Sequence, residues 1–270
     1  MIRALTALTA VGAALLFGSA ARAQGIGRRV SSAPDGKVRM TFASRPGVCG
    51  NGSNNISMDC DDGDCGNNHR YSRDDHDVDV TTCPCEEGPV RIVLRVAGGK
   101  VTRVRAYVGG EWKPAEAGTT DLGVVGDKEA VAYLLDLART ATSHVGEEAI
   151  FPVTLADSVT VWPDLFKLAR NEDVPRATRK SAVFWIGQAA GDAATKGLDS
   201  LAQGNDVDRE VRESAVFALS QQRNDVGVPA LISIARTNKD PEIRKKAIFW
   251  LGQSDDPRAL ALFEELLTRK

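Results

Sequence analysis

The chain has 270 residues, of which 43% are hydrophobic and 26% are charged, and its formal net charge is −2. This composition is ordinary for a soluble globular protein, and the length predicts one large domain or two modest ones. A net charge so close to zero argues against a nucleic-acid binder, which would carry a basic excess. It also argues against long-range steering of ligands by a strong overall field.

The first 23 residues have the features of a secretory signal peptide. Arg3 precedes an apolar run from Ala4 to Phe17, and Ala21-Arg22-Ala23 forms an A-x-A cleavage pattern. An uncleaved anchor is the alternative, but the run is shorter than the roughly 20 residues of a comfortable membrane span. We therefore predict that residues 1–23 are removed. The mature protein is then expected to be periplasmic or extracellular, without stable membrane insertion.

Residues 24–115 predict a small β-rich domain. Apolar and polar residues alternate from Lys37 to Ala43, and two further alternating runs, 90–96 and 104–108, follow later in the chain. Gly98 and Gly99 lie between these two runs, and a pair of glycines that adopt positive φ predicts a tight β-hairpin.

All the cysteines of the chain also fall in this domain: Cys49, Cys60, Cys65, Cys83 and Cys85. An oxidising compartment favours two disulfides and one free thiol, and the spacing leaves the connectivity open. A metal site that includes His69 and His76 is the alternative. It fits less well because the sequence lacks the C-x-x-C pairs that are typical of structural zinc sites.

No other motif predicts chemistry. An Asp-rich stretch at 59–64 departs from the calcium-loop pattern because Gly63 occupies a ligand position, and no nucleophile triad or phosphate loop is present. We therefore predict a protein that is not an enzyme and that has no cofactor, no metal and no catalytic residues. A redox or metal-dependent protein that uses the cluster from Cys49 to Cys85 is the alternative function.

The rest of the chain predicts helices. Residues 116–145 form a connecting segment and a helix that Asp127 could cap. From residue 146 onward a ten-residue motif recurs as RKSAVFWIGQ, RESAVFALSQ and RKKAIFWLGQ, with Ala182, Ala215 and Ala247 spaced by 33 and 32 residues. A degenerate copy around Phe151 precedes these three. A second column, also spaced by 31 to 33 residues, consists of Leu165, Leu198, Leu231 and Leu262. A fixed period of this length with two helices per repeat predicts an α-solenoid.

The motif resembles the repeats of a known protein family. The stretches EVRESAVFALSQ and EIRKKAIFWLGQ, each followed by a Leu-rich segment, resemble HEAT repeats of the short bacterial type, which also occur in phycobilisome-lyase-like proteins. The resemblance covers residues 146–270 and implies an α+β protein with a C-terminal solenoid of helix pairs. The order of signal peptide, Cys-containing β region and repeats also resembles exported HEAT-repeat proteins of bacteria. This likeness implies an envelope setting and carries over no catalytic residue.

Two sets of residues are candidates for binding a partner. Phe184, Phe217 and Phe249 recur in the motif among polar and small helical neighbours, so we expect at least partial exposure, although packing over an adjacent repeat is an open alternative. Arg170, Gln203 and Arg236 form a mildly basic column on the second helices, where an acidic protein or peptide could bind or where the face could simply be solvated. We therefore predict a non-catalytic scaffold or protein-interaction protein that binds an unidentified envelope protein or peptide, and no nucleic acid.

Overall fold

The computed structural model describes residues 25–53, 56–58, 60–61, 64–65, 85–188, 192–222 and 226–268. The predicted signal peptide, Cys83, His69 and His76 lie outside these residues. The chain divides into two compact units. The first unit comprises Met1–Leu137 and Phe151–Val159, and the second comprises Ala138–Ile150 and Thr160–Lys270. A β-rich region is therefore followed by helices, as the α+β prediction required.

The largest sheet of the first unit has four strands in the order β8-β7-β1-β9. Its strands are β1 (Gly36–Phe42), β7 (Val90–Ala97), β8 (Lys100–Tyr107) and β9 (Thr120–Val124). Strand β7 pairs antiparallel with both β1 and β8, whereas β9 runs parallel to β1. Alternation of apolar and polar side chains buries one face of each long strand, including Val38, Met40, Phe42, Ile92 and Leu94.

The predicted hairpin joins β7 to β8. Gly98 and Gly99 adopt φ values of 56° and 70°, which a residue with a side chain rarely takes, and this is the geometry that glycine pairs favour in a two-residue hairpin turn. Five short strands complete the described β structure: β2 (Cys49–Gly50), β3 (Ile56–Ser57), β4 (Cys60–Asp61), β5 (Asp64–Cys65) and β6 (Glu86–Glu87). They form a three-stranded sheet, β3-β2-β6, and the pair β4-β5.

Three helices accompany the sheet region or follow it: α1 (residues 25–31), α2 (Asp127–Thr140) and α3 (Val145–Val153). The predicted role of Asp127 needs correction. Its carboxylate accepts a hydrogen bond from the N–H of Ala43, at 2.8 Å, while Gly126 supplies the carbonyl that receives the first N–H groups of α2. Asp127 therefore ties the end of β1 to α2 instead of capping its own helix.

The second unit contains the helices of the repeat: α4 (Trp162–Arg170), α5 (Arg176–Gln188), α6 (Asp192–Gln203), α7 (Arg209–Ser220), α8 (Val228–Thr237), α9 (Pro241–Leu251) and α10 (Pro257–Thr268). Helix α5 packs on α7 and α7 packs on α9, while α6 packs on α8 and α8 on α10. Within the described residues, no helix combines the length and apolar character needed to cross a membrane.

The alanines and leucines that recur once per repeat in the sequence form the core of this unit. Ala182, Ala215 and Ala247 are fully buried, as are the second-helix residues Leu165, Leu198, Leu231 and Leu262, each exposed by 1% or less. The motif of α5 has a glycine, Gly187, immediately before its final residue, and a Cβ atom at this position would lie 2.9 Å from the Cβ of Ala218 on α7. Close approach of α5 and α7 therefore requires glycine there.

Candidate functional site

The motif helices α5, α7 and α9 expose one phenylalanine each. Phe184 is 40% exposed and Phe249 is 55% exposed, whereas Phe217 is half-buried. The exposure predicted for this column is therefore observed, most strongly at its two ends. Because the three residues occupy the same motif position on helices packed side by side, they form a row across the second unit.

Two tryptophans belong to the same row. Trp250 lies between Phe217 of α7 and Phe249 of α9, with ring centroids 5.0 Å from each, and the contact with Phe249 is edge-to-face. Phe184 and Trp185 make a similar edge-to-face contact at 5.0 Å. These distances are in the range where aromatic pairs attract. Phe217 therefore packs partly against the adjacent repeat, as the alternative interpretation expected. Phe184 and Phe249 remain exposed to solvent over part of their rings. We call Phe184, Trp185, Phe217, Phe249 and Trp250 the aromatic row.

Glutamine side chains run beside the aromatic row, four residues after each phenylalanine. Gln188, Gln221 and Gln253 are all exposed. Gln221 donates a hydrogen bond to Ser220 at 3.2 Å. The side-chain amides of Gln188 and Gln253 have no hydrogen-bond partner among the residues that the structure describes. The three glutamine side chains therefore do not hydrogen-bond to one another, and they face solvent. We call them the amide column.

The charges next to the row are mostly positive. Lys180 on α5 and both Lys245 and Lys246 on α9 are exposed and lie one helical turn before their phenylalanine. Glu213 is the acidic residue at the equivalent place on α7, and its carboxylate lies 3.6 Å from the ammonium group of Lys246. The surroundings of the aromatic row are therefore mildly cationic.

Buried arginines hold the motif helices in register. Arg179 donates to the carboxylate of Asp208, at 2.5 Å, and to the carbonyl of Val174. One repeat later, Arg212 donates to Asp240, Asn238 and the carbonyl of Ala202. The hydrogen bond from Arg179 lowers the pKa of Asp208 below its ordinary value. These arginines are only 5% and 7% exposed, so they serve packing between repeats and offer no surface to a partner.

The side chains of the basic column, Arg170, Gln203 and Arg236, bind other residues of the same chain. Arg170 on α4 pairs with Asp206, at 2.5 Å, and bonds to Ser200 on α6 at 3.0 Å. Gln203 donates to Asp199 on its own helix at 2.8 Å. Arg236 on α8 pairs with Glu265 on α10. Each member therefore already has a polar partner, and the carboxylates beside the two arginines reduce the positive charge that the sequence suggested for this face.

In the cysteine region, the structure joins Cys49 and Cys85 in a disulfide. Cys49 lies on β2, which pairs with β6 immediately after Cys85, so the bond reinforces a backbone contact. Cys60 and Cys65 are register partners in the β4-β5 pair. Among the described residues, no group of three or more His, Cys, Asp or Glu is placed to hold a metal ion.

The first unit also contains an aromatic contact that the sequence did not reveal. The guanidinium carbons of Arg39 and Arg91 lie 5.1 Å and 5.3 Å from the centroid of Trp112, and Tyr107 is 6.3 Å away. Arg39 also pairs with Asp121 on β9. The alternation in β1 and β7 could have placed both arginines on the outer sheet face, but nothing local connects them to Trp112.

Part of the chain matches a known protein family. Residues 198–270 match the family model described as HEAT repeats. The matched segment begins within α6 and includes α7 to α10, and it therefore supports a HEAT-repeat protein. No curated protein matches the chain.

Proposed function

We propose that this chain is an exported, non-catalytic interaction or scaffold protein whose helix pairs form an α-solenoid and bind a partner protein through the aromatic row. Two observations support the proposal. The HEAT-repeat match covers the helices that carry Phe217 and Phe249, and stacked repeats of this kind commonly present extended binding surfaces. In addition, each of the three motif helices contributes one phenylalanine to the row.

The exposure of the phenylalanines carries the argument. In the helices α5 and α9 that carry Phe184 and Phe249, the apolar neighbours Ala182, Ile186 and Leu251 are completely buried, so the repeat has a core that does not need the two phenylalanines. Leaving an aromatic ring in water forfeits roughly 25 cal/mol for each Å² of apolar surface. Burial of such rings against a partner recovers that free energy, and aromatic residues dominate the energetic centres of protein interfaces.

The basic column contributes less to this proposal. Arg170 and Arg236 would have to exchange an existing carboxylate partner for one on the bound protein, so little net free energy is gained. We assign these residues to the contacts between repeats and place the binding surface on the motif helices.

Export rests on the signal-peptide features of residues 1–23 and on the cysteines. The disulfide between Cys49 and Cys85 suits an oxidising compartment, where such bonds form and persist. Mass determination of the mature protein tests this part directly. A first residue at Gln24 supports export, whereas an intact first residue in the isolated protein contradicts it.

The binding proposal is tested by affinity capture from the cell envelope with three baits. They are the wild-type chain, a Phe184→Ala/Phe249→Ala double variant and a Leu260→Ala control, in which a leucine that is 60% exposed on α10 is truncated. Partners that are lost only with the double variant support the aromatic row. Partners recovered equally with all three baits contradict it, provided that circular dichroism shows the same helicity and Tm.

A further inference from the structure

We propose that the partner presents an acidic, proline-rich segment in the polyproline II conformation, which lies across α5, α7 and α9 along the aromatic row. This inference rests on the proposed function, because it names the kind of ligand that the same surface accepts. Three features carry it: the spacing of the motif helices that bear the rings, the exposed amides beside the rings and the sign of the neighbouring charges.

The motif helices are spaced like the turns of a polyproline II helix. Helices that pack side by side are separated by about 8–10 Å, so equivalent positions on α5, α7 and α9 recur at about that interval. The contacts of Trp250 agree with this interval, because ring centroids 5.0 Å from Trp250 on either side place Phe217 and Phe249 no more than about 10 Å apart. A polyproline II segment has three residues per turn and rises about 3.1 Å per residue, which gives roughly 9 Å per turn.

A ligand of this kind therefore presents one proline ring to each motif helix. Proline-rich segments commonly dock on exposed aromatic side chains in this way, since their shape is preformed and little conformational entropy is lost. A β-strand does not meet the same requirement. Three residues of a strand also span about 10 Å, but successive side chains alternate, so every third residue points to the opposite face.

The amide column supplies hydrogen bonds that such a ligand needs. A polyproline II backbone makes no internal hydrogen bonds, so its carbonyl groups remain available as acceptors. Gln188 and Gln253 have amide groups without a partner among the described residues, and Gln221 makes one side-chain hydrogen bond, to Ser220. A helical ligand would already have satisfied its backbone groups and would leave this column unused.

The lysines beside the row favour a negatively charged ligand. Lys180 and Lys245 flank the row without an ion-pair partner among the described residues, whereas Lys246 lies 3.6 Å from the carboxylate of Glu213. Acidic residues between the prolines would therefore be attracted, whereas a basic proline-rich segment would be repelled.

Synthetic peptides of about 15 residues, or five turns, test the inference without knowledge of the natural partner. Fluorescence anisotropy is measured with a labelled repeat of Pro-Pro-Glu, with Gly-Ser-Glu repeats of equal length and charge, and with Pro-Pro-Lys repeats. We expect the Pro-Pro-Glu peptide to bind at least roughly tenfold more tightly than either control. The Phe184→Ala/Phe249→Ala variant should lose this binding, while Leu260→Ala should keep it.

Two outcomes overturn the inference. One is equal affinity for Gly-Ser-Glu and Pro-Pro-Glu, which would show attraction by charge alone. The other is unchanged affinity of the phenylalanine variant. If the envelope partner depends on the phenylalanines but Pro-Pro-Glu does not bind, this inference fails and the proposed function stands. If capture of the partner is indifferent to the phenylalanines, the proposed function itself fails.

Discussion

Arg212, buried in α7, donates a hydrogen bond from Nη1 to the carboxylate of Asp240, 3.2 Å away, and Asp240 is the residue that caps α9. The other carboxylate oxygen accepts the N–H of Glu242 at 3.0 Å. One side chain thus joins the interior of one motif helix to the beginning of the next. Arg179 and Asp208, at the start of α7, repeat the arginine–carboxylate contact one repeat earlier, but the Asp208 side chain makes no capping hydrogen bond.

Removal of Arg212 should destabilise the second unit much more than removal of Arg209, although both residues contact Asp240. Arg212 also donates to the carbonyl of Ala202 and to Asn238, so Arg212→Ala removes three hydrogen bonds of a buried guanidinium. Among the residues that the structure describes, the amide of Asn238 and the N–H of Asp240 then remain the only donors to the Ala202 carbonyl and the Asn238 amide oxygen outside regular helix bonds. We expect a loss of about 2–4 kcal/mol in the free energy of unfolding, measured by urea denaturation.

Arg209→Ala is the matched control, because Arg209 is 59% exposed and pairs with the same carboxylate. An exposed ion pair contributes roughly 1 kcal/mol or less. Equal losses in the two variants would show that the buried hydrogen bonds of Arg212 contribute nothing specific.

Acid should weaken the contact at Asp240. Desolvation raises the pKa of this carboxyl, but the hydrogen bonds from Glu242 and Arg209, with the charges of Arg209 and Arg212, outweigh it, so the pKa lies below its ordinary value. A carboxyl with a lowered folded-state pKa stabilises the protein fully above the unfolded value of about 3.9, and the contribution is lost as the pH falls through the folded value.

Asp240→Asn removes this titration and tests the sign. The wild type should be more stable than the variant at pH about 6, and the difference should shrink as the pH falls below about 4. Urea denaturation across this range measures it. A difference that stays constant with pH would mean that the charge on Asp240 does not contribute to stability.

Replacement of the motif glycines by a larger residue should destabilise the protein at Gly187 and be tolerated at Gly252. Leucine at Gly187 has to displace α7, because even a Cβ atom there would lie 2.9 Å from the Cβ of Ala218. Overpacking of this kind costs roughly 1–3 kcal/mol. Gly252 is exposed at the end of α9, and the nearest atom to an added Cβ is 3.4 Å away. Gly252→Leu should therefore have a clearly smaller effect on Tm, and the reverse order would refute the close approach of α5 and α7.

The disulfide between Cys49 and Cys85 should stabilise the first unit. It closes a loop with a sequence separation of 36, and removal of a native disulfide from a small domain costs roughly 2–5 kcal/mol. Calorimetry should show a lower Tm for Cys49→Ala/Cys85→Ala and a smaller effect of added reductant than in the wild type. Non-reducing peptide mapping gives the independent check, and Cys49 linked to any cysteine other than Cys85 would contradict the assignment.

Several features followed from the sequence alone because their causes are local or periodic. The alternation in Lys37 to Ala43 and the Gly98-Gly99 pair predicted β1 and the β7-β8 hairpin, and the structure contains both. Burial of Ala182, Ala215 and Ala247 followed from their spacing, since residues one repeat apart occupy equivalent places in packed helices. The polar and small helical neighbours of Phe184 and Phe249 predicted that both side chains are at least partly exposed, and both are.

Other features depended on distances that only the packed helices determine. Trp250 meets Phe217 of the preceding motif helix as well as its own neighbour Phe249, which requires a particular axial offset between α7 and α9. Arg170 gains a carboxylate partner 36 positions away and Arg236 gains one 29 positions away. The carboxylate of Asp127 accepts a hydrogen bond from the N–H of Ala43 instead of capping its own helix. Hydrogen bonds change strength over fractions of an ångström, so periodicity can identify the column a side chain belongs to but cannot choose its partner.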